Sequence, residues 1–296
     1  VKKAVGNIET HIAKALKGHD AKGQRTIDRI MFELDGTPNK RKLGANAMLA
    51  VSLATARAAA LAKKKPLYKH IRQAFHLREK GFKMPIPTMN IINGGQHAQN
   101  SLSIQEFMVV PMHKKFRERV RIGAEVFHAL ASILNKKGYS TGVGDEGGFA
   151  PELPNNESAF KLIIEAIKHA GYIPGKHAYL ATDIAASEFY SNGKYFLENP
   201  KKGISSDEVI KAIRLWVRKY PIMSVEDPLA EDDWEAWANI TKKLGKKVAI
   251  VGDDLFVTNT HRIQKGIDEG VGNAVLIKLN QIGTLSETID VIYLAK

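Results

Sequence analysis

YLATDI (179–184), IMSVED (222–227), VAIVGDD (248–254) and AVLIKLN (274–280) are four near-continuous apolar runs. Each closes on an ionisable side chain: Asp183, Glu226, Asp253 and Lys278 in turn. Such runs suit parallel strands buried on both faces. Turn and helix signals follow each one, which is the alternation expected of a parallel α/β sheet or barrel. The steps from Glu226 to Asp253 and from Asp253 to Lys278 suit single βα units; the step before them is longer because a hairpin-like insert, SNGKYFLENP (191–200), lies within it.

In a (β/α) barrel the carboxyl ends of the strands open on one face, so residues far apart in sequence converge there. Taken singly, an acidic residue after a strand is most simply a helix cap or a solvated turn residue. Three at consecutive strand ends form a pattern. Carboxylates with no His or Cys beside them make a hard-oxygen site, which suits Mg²⁺ or Mn²⁺ better than zinc or copper. Asp183, Glu226 and Asp253 are therefore assigned to Mg²⁺. Lys278 is expected close to that cation, where a positive neighbour and burial together would free a neutral amine to act as a base; the plainer reading is a buried salt bridge.

Three further polar clusters lie upstream: NGGQHAQN (93–100), IQEF (104–107) and VGDEGGFAP (143–151). Their glycines allow close approach of backbone to a ligand. His97, Glu106 and Glu146 would each pass alone as turn residues, and gain weight from one another's company.

Before the strands, residues 1–73 read as helical, with a turn at DGTPNK (35–40), and MPIPTMN (84–90) marks a change of rhythm that places a domain boundary near residue 80. Later, Phe116, Val120, Phe127 and Leu134 predict one buried helix face closed by Lys136, Lys137 and Gly138. Ser205 and Glu208 have capping-box spacing ahead of Val209, Ile213, Trp216, Val217 and Tyr220. Trp234 and Trp237 read as core packing.

The 296 residues include no cysteine, which excludes disulfides, thiolate metal sites and a cysteine nucleophile, and points to a reducing cytoplasm. A formal charge of +13 suits a multiply anionic small substrate. The lysine clusters at 63–65, 136–137, 201–202 and 246–247 lack interleaved aromatics, so they read as solvated surface and no nucleic-acid partner is expected. The stretch AMLAVSLATARAAALA (47–62) is broken by Ser52, Thr55 and Arg57 and reads as too short for a bilayer, so no membrane insertion is expected. No GxxxxGK[ST], GxGxxG or GxSxG motif is present, which argues against nucleotide hydrolysis, dinucleotide binding and serine-hydrolase chemistry. The opening valine and the final TIDVIYLAK (288–296), which stops inside an amphipathic pattern, make both ends read as cut.

LDGTPNKRKLGANA (34–47), NIINGGQHAQN (90–100), IQEFMVVP (104–111), VGDEGGFAP, DIAASEFY (183–190), SVEDPLAEDDW (224–234), VGDDLFVTN (251–259) and LIKLNQIGTLSET (276–288) resemble, in order, successive signatures of the enolase family. The resemblance implies an α/β fold: an enolase-type (β/α) barrel over 81–296, incomplete at its C-terminal end, preceded by the helical part of a smaller α+β N-terminal domain over 1–80. It implies glycolytic, Mg²⁺-dependent, reversible dehydration of 2-phospho-D-glycerate to phosphoenolpyruvate through an enediolate. By the same resemblance Asp183, Glu226 and Asp253 match metal ligands, and Lys278 the base that takes the proton from carbon 2. Glu146 matches the acid that assists departure of the hydroxyl from carbon 3. His97, Gln105 and Glu106 match positions lining the substrate site, which Glu226 and Asp253 also face. A cytoplasmic homodimer or higher homo-oligomer is implied too.

The family's amino-terminal β-meander, with its mobile serine-bearing loop, would precede Val1. A Ser-His-Arg-Ser segment that grips phosphate, and a further lysine, would follow Lys296. The competing expectations are therefore a truncated, non-catalytic chain acting as a scaffold or binding partner, and a relative acting on a different carboxylate.

Overall fold

In the computed structural model, which describes residues 1–79 and 81–296, the apolar runs become strands whose direction is set by what lies between them. Strands β1 (Met89–Asn93), β2 (Glu106–Pro111) and β3 (Ala178–Asp183) are followed by a small hairpin, β4 (Tyr190–Ser191) and β5 (Lys194–Tyr195), and then by β6 (Ile222–Glu226), β7 (Ala249–Gly252) and β8 (Ala274–Val275). The main sheet has the order β1-β2-β3-β6-β7-β8. The β3–β6 and β6–β7 pairs are parallel, as their apolar runs predict, whereas β1–β2 and β2–β3 are antiparallel. The reason is the number of reversals. No α-helix separates β1 from β2, only the 3₁₀ turn Gly95–His97, and two helices, Phe116–Lys136 and Asn156–His169, separate β2 from β3. A single crossover helix returns the chain parallel; none, or two, return it antiparallel.

AVLIKLN is strand over two residues only. Lys278 instead caps the short helix Leu279–Ile282, because its N–H is taken by the Thr258 hydroxyl at 2.9 Å and Gly283, at φ 96°, stops the turn. The insert between β3 and β6 is the expected hairpin: Asn192 and Gly193 both have positive φ, 50° and 75°, as a two-residue turn between right-twisted strands requires.

The chain divides into two compact units, Val1–Phe82 with Phe256–Lys265 and Val275–Lys296, and Lys83–Leu255 with Gly266–Ala274. Within the second, Phe107 of β2 meets Phe160 at 5.0 Å between ring centroids, and Phe160 in turn meets Trp216 and Tyr220, so that two helices are tied to the sheet by aromatic contacts. Ser206–Lys219 begins with the expected capping box between Ser205 and Glu208 and buries Val209, Ile213 and Trp216. Trp237 is fully buried, its indole N–H donating to the Ala230 carbonyl.

The helix Phe116–Lys136 corrects the sequence reading in one respect. Its buried stripe is Ile122, Val126, Ala129, Leu130, Ile133 and Leu134, while Val120 is 42% exposed. Apolar residues at i, i+4, i+7, i+8, i+11 and i+12 from Ile122 make the wider face, and the line from Phe116 to Phe127 falls on its edge. Phe127 there stacks on Phe149, with centroids 4.3 Å apart.

The first unit is built around Ile12, Ile27, Met31, Leu43, Ala47 and Met48. The last two belong to Ala45–Ala62, two residues longer than the apolar stretch read from sequence. By length and composition alone it is, among the described residues, the one helix that could cross a membrane. Its Ala47, Met48, Ser52, Ala56, Ala59 and Ala60 are nevertheless buried within the unit. Ser52 belongs to a buried polar network: its hydroxyl accepts from Gln24 and from the Leu285 N–H, while Asp28 accepts from Gln24 and from the backbone N–H and hydroxyl of Ser286. Asp28→Ala would strand those donors away from water, and we expect it to lower unfolding stability by roughly 2–4 kcal/mol. Urea unfolding followed by circular dichroism reads this directly, and an unchanged midpoint would refute the network's structural role.

Candidate active site

Strand register assembles the site. Across the second unit Asn93 is paired with Glu106, Glu106 with Asp183, Asp183 with Glu226, and Glu226 with Val251. One row of backbone therefore carries Asn93, Glu106, Asp183 and Glu226 side by side, with Asp253 two residues beyond Val251. Because β2 runs antiparallel, its first residue, Glu106, reaches the same rim as the last residues of β3 and β6. Counting strand carboxyl ends alone would not place it there.

The acidic residues are held by backbone as much as by one another. Asp183, 6% exposed, accepts from the Ala185 N–H at 2.9 Å and from the Gln105 amide at 3.1 Å. The two carboxylate oxygens of Asp227 accept separately from the N–H groups of Asp253 and Asp254, at 3.1 and 2.8 Å. The Asp227 N–H donates to Val251 and its carbonyl accepts from Ala186, so this one residue, at φ 37°, latches the ends of β3, β6 and β7. A non-glycine residue held at positive φ is strained, and such strain persists where surrounding bonds over-determine it.

Asp183, Glu226 and Asp227 offer carboxylate oxygens within 4.8 Å of one another, and so do Asp227, Asp253 and Asp254. Asp183, Glu226 and Asp253 are thus linked through Asp227. The spacing of single strand-end acids does not single out Asp227 and Asp254; the sequence signal for them is the doubled acids, ED and DD, at two consecutive strand ends. Burial, with the charges of Asp227 and Glu106 beside it, pushes the Asp183 carboxyl well above the usual range. Burial likewise raises Glu226, helped by Asp183, Asp227, Asp253 and Glu106. Asp227 is pushed up to about 7, chiefly by burial and against the pull of its two backbone donors. Buried like charges of this kind are what a divalent cation relieves, and an all-oxygen donor set suits a hard one, so the residues fit Mg²⁺.

A second grouping lies alongside. His97 Nδ1 is 3.4 Å from Glu106 Oε1, and Glu146 offers an oxygen to the same group. Glu146 is exposed, on a loop stitched to the NGGQH turn by Asp145 N–H donating to the His97 carbonyl at 3.0 Å and Gly148 N–H donating to Asn93 Oδ1 at 2.9 Å. Gly144 is pressed into this seam: a Cβ there would abut the His97 carbonyl oxygen and lie 2.8 Å from Asn93 Cβ. We expect Gly144→Ala to displace the loop and lower kcat on the order of tenfold or more, since a misplacement of about 1 Å can cost 10²-fold. Steady-state kinetics at saturating substrate check this; parental kcat would show that the seam does not position Glu146.

Lys278 lies in the first unit and is exposed, which departs from the expectation that burial would help to neutralise it. Its backbone is fixed by Thr258, whose hydroxyl also donates to Gln281 at 2.8 Å.

Residues 81–296 match the family model for the enolase C-terminal TIM barrel domain, and residues 1–71 match that for the enolase N-terminal domain. The chain belongs to the enolase family. A relative named enolase, from Elusimicrobium minutum (strain Pei191), is 55% identical over 296 residues, a span that covers all of this chain and 69% of that protein. Membership accounts for the strand–helix alternation and the mixed α/β sheet, and it makes the acidic rim the natural place to look for enolase chemistry.

Proposed function

We propose that this chain carries out the enolase reaction, the reversible dehydration of 2-phospho-D-glycerate to phosphoenolpyruvate, with Mg²⁺ as its cofactor. The observation that carries the reading is the row of carboxylates formed by buried Asp183 with half-buried Glu106 and Glu226, and with buried Asp227 and Asp253 beside it, in a chain of the enolase family. Asp183, Glu226 and Asp253 would hold the cation. When bound, it supplies positive charge against the carboxylate of the substrate, where removal of a neighbouring proton builds up negative charge.

The chain's own residues supply the proton transfers. Lys278 Nζ takes the proton from carbon 2. Because Lys278 is exposed, a neighbouring positive charge, rather than burial, is what would keep its amine neutral. Glu146 donates a proton to the hydroxyl leaving carbon 3, and the reverse reaction exchanges the two roles. His97, Gln105 and Glu106 line the substrate; Gln105 also orients Asp183 through its amide. A domain boundary near residue 80, homodimeric assembly and a cytoplasmic setting belong to the same proposal.

The test is formation of phosphoenolpyruvate from 2-phosphoglycerate, followed by absorbance with and without Mg²⁺, in the parent and in Asp253→Asn. Product formation that requires Mg²⁺ and is weakened in the variant supports the proposal. Turnover equal with and without the metal, or none in the parent with the metal bound, would overturn it.

A further inference from the structure

We propose a second ligand site, away from the acidic rim: the groove between helices Ser206–Lys219 and Trp234–Leu244 binds a compact polyphosphate anion. The groove encloses about 310 Å³ and is lined by Lys211, Arg214, Arg218, Lys243 and Lys247 over an apolar floor that includes Leu244. No carboxylate lines it. That volume is at the lower end of small-molecule sites.

The distribution of partners in this unit makes the groove unusual. The unit contains five arginines. Arg117, Arg119 and Arg121 are all engaged, by Glu118, by the carbonyls of His113 and Pro85, and by Glu118 with Glu125 respectively. Arg214 and Arg218 make no hydrogen bond or ion pair among the described residues, although next to Arg218 the Lys219 ammonium is held by Glu157. Of the groove's lysines, Lys243 reaches Asp207 only at 3.8 Å, between exposed groups, and Lys211 sits beside the capping Glu208. Cations in the last turn of a helix complement its dipole, which explains Arg218 and Lys243. It does not explain Lys211 and Arg214, in mid-helix.

Lys211, Arg214 and Arg218 stand at i, i+3 and i+7, on one face and about 10 Å from end to end along the axis. Lys243 and Lys247 close the other wall. A row of charges on that scale matches successive phosphate groups, and the two guanidiniums offer planar forks that grip phosphate oxygens in pairs. The lining has no aromatic side chain on which a base could stack, which favours a phosphate chain over single-stranded nucleic acid.

The experiment is isothermal titration calorimetry of the full chain with inorganic tripolyphosphate, free of divalent cations, at low salt and at physiological salt. Orthophosphate and a short single-stranded oligonucleotide serve as comparison ligands. One saturable site is expected, with affinity that falls as salt rises and at least tenfold weaker binding of orthophosphate. Arg214→Glu with Arg218→Glu should weaken tripolyphosphate binding by tenfold or more while leaving circular dichroism unchanged, since both side chains are exposed, and should lower the unfolding midpoint only slightly, through the reversed charge at the helix C-terminus. Should the double variant misfold, Arg214→Ala with Arg218→Ala carries the same expectation. No saturable binding, or affinity indifferent to these arginines, would overturn the proposal. So would tighter, arginine-dependent binding of the oligonucleotide, which would reassign the groove to nucleic acid.

Discussion

Lys278→Ala is expected to lower kcat by roughly 10³-fold, within the range that a positioned general base contributes, while leaving the fold and cation affinity near those of the parent. The substitution leaves a backbone anchor of this segment in place, because the Lys278 N–H donates to the Thr258 hydroxyl and alanine retains that bond. The loss should fall on kcat more than on KM if the amine acts in the transition state. Phosphoenolpyruvate formation at saturating 2-phosphoglycerate and Mg²⁺ measures it, with the unfolding midpoint as the check on folding. Turnover that survives the substitution would remove Lys278 from the mechanism and return the search for a base to the acidic rim.

The second large effect concerns stability. Folding raises the carboxyls of Asp183, Glu226 and Asp227 above their unfolded values. Between an unfolded value of about 4 and the raised folded values, the native state holds protons that the unfolded chain releases, so the slope of stability against pH is negative. For Asp227 the decline runs from about pH 4 to about 7 and for Glu226 it extends to about 9, while Asp183, raised by burial and by the charges of Asp227 and Glu106, acts in the same direction. Carboxyls that folding lowers, such as Asp35, held by the N–H groups of Leu43, Lys42 and Thr37, act with the opposite sign and only in more acid solution.

The metal-free protein should therefore lose stability on going from about pH 5 to about pH 8, by a few kcal/mol in total. Mg²⁺ binds the deprotonated groups, so its stabilising effect should be near zero at the acid end and grow to several degrees of melting temperature at the alkaline end. Glu226→Gln removes one of the repelling charges. It should flatten the pH profile of the metal-free protein and raise its melting temperature at the alkaline end, while abolishing most of the response to Mg²⁺. Thermal unfolding across that range, with and without the cation, provides the reading. A metal-free melting temperature that rises from pH 5 to 8 would contradict the account.

Several features of this chain were legible because they depend on neighbours within a few residues. The capping box at Ser205, the Asn192-Gly193 turn and the apolar strand runs closing on Asp183 and Glu226 are of this kind, since turn conformation, helix capping and strand period are local properties. The buried face of Phe116–Lys136 is not legible in this way: both lines of apolar residues have helical spacing, and only what the helix packs against chooses between them.

The sequence by itself thus determined most of the strands and helices, though not the helix that follows Lys278, which acidic residues end the strands, and, through its long motifs, the family. The tertiary structure alone decided that β2 runs antiparallel and so carries Glu106 to the rim, and that Asp227 links Asp183 and Glu226 to Asp253. It alone decided that Asp145 bonds to the His97 carbonyl and brings Glu146 beside Glu106. Each of these rests on hydrogen bonds between residues tens of positions apart, whose register follows from how many times the chain reverses and from which backbone groups remain to be satisfied. No local period or propensity encodes that.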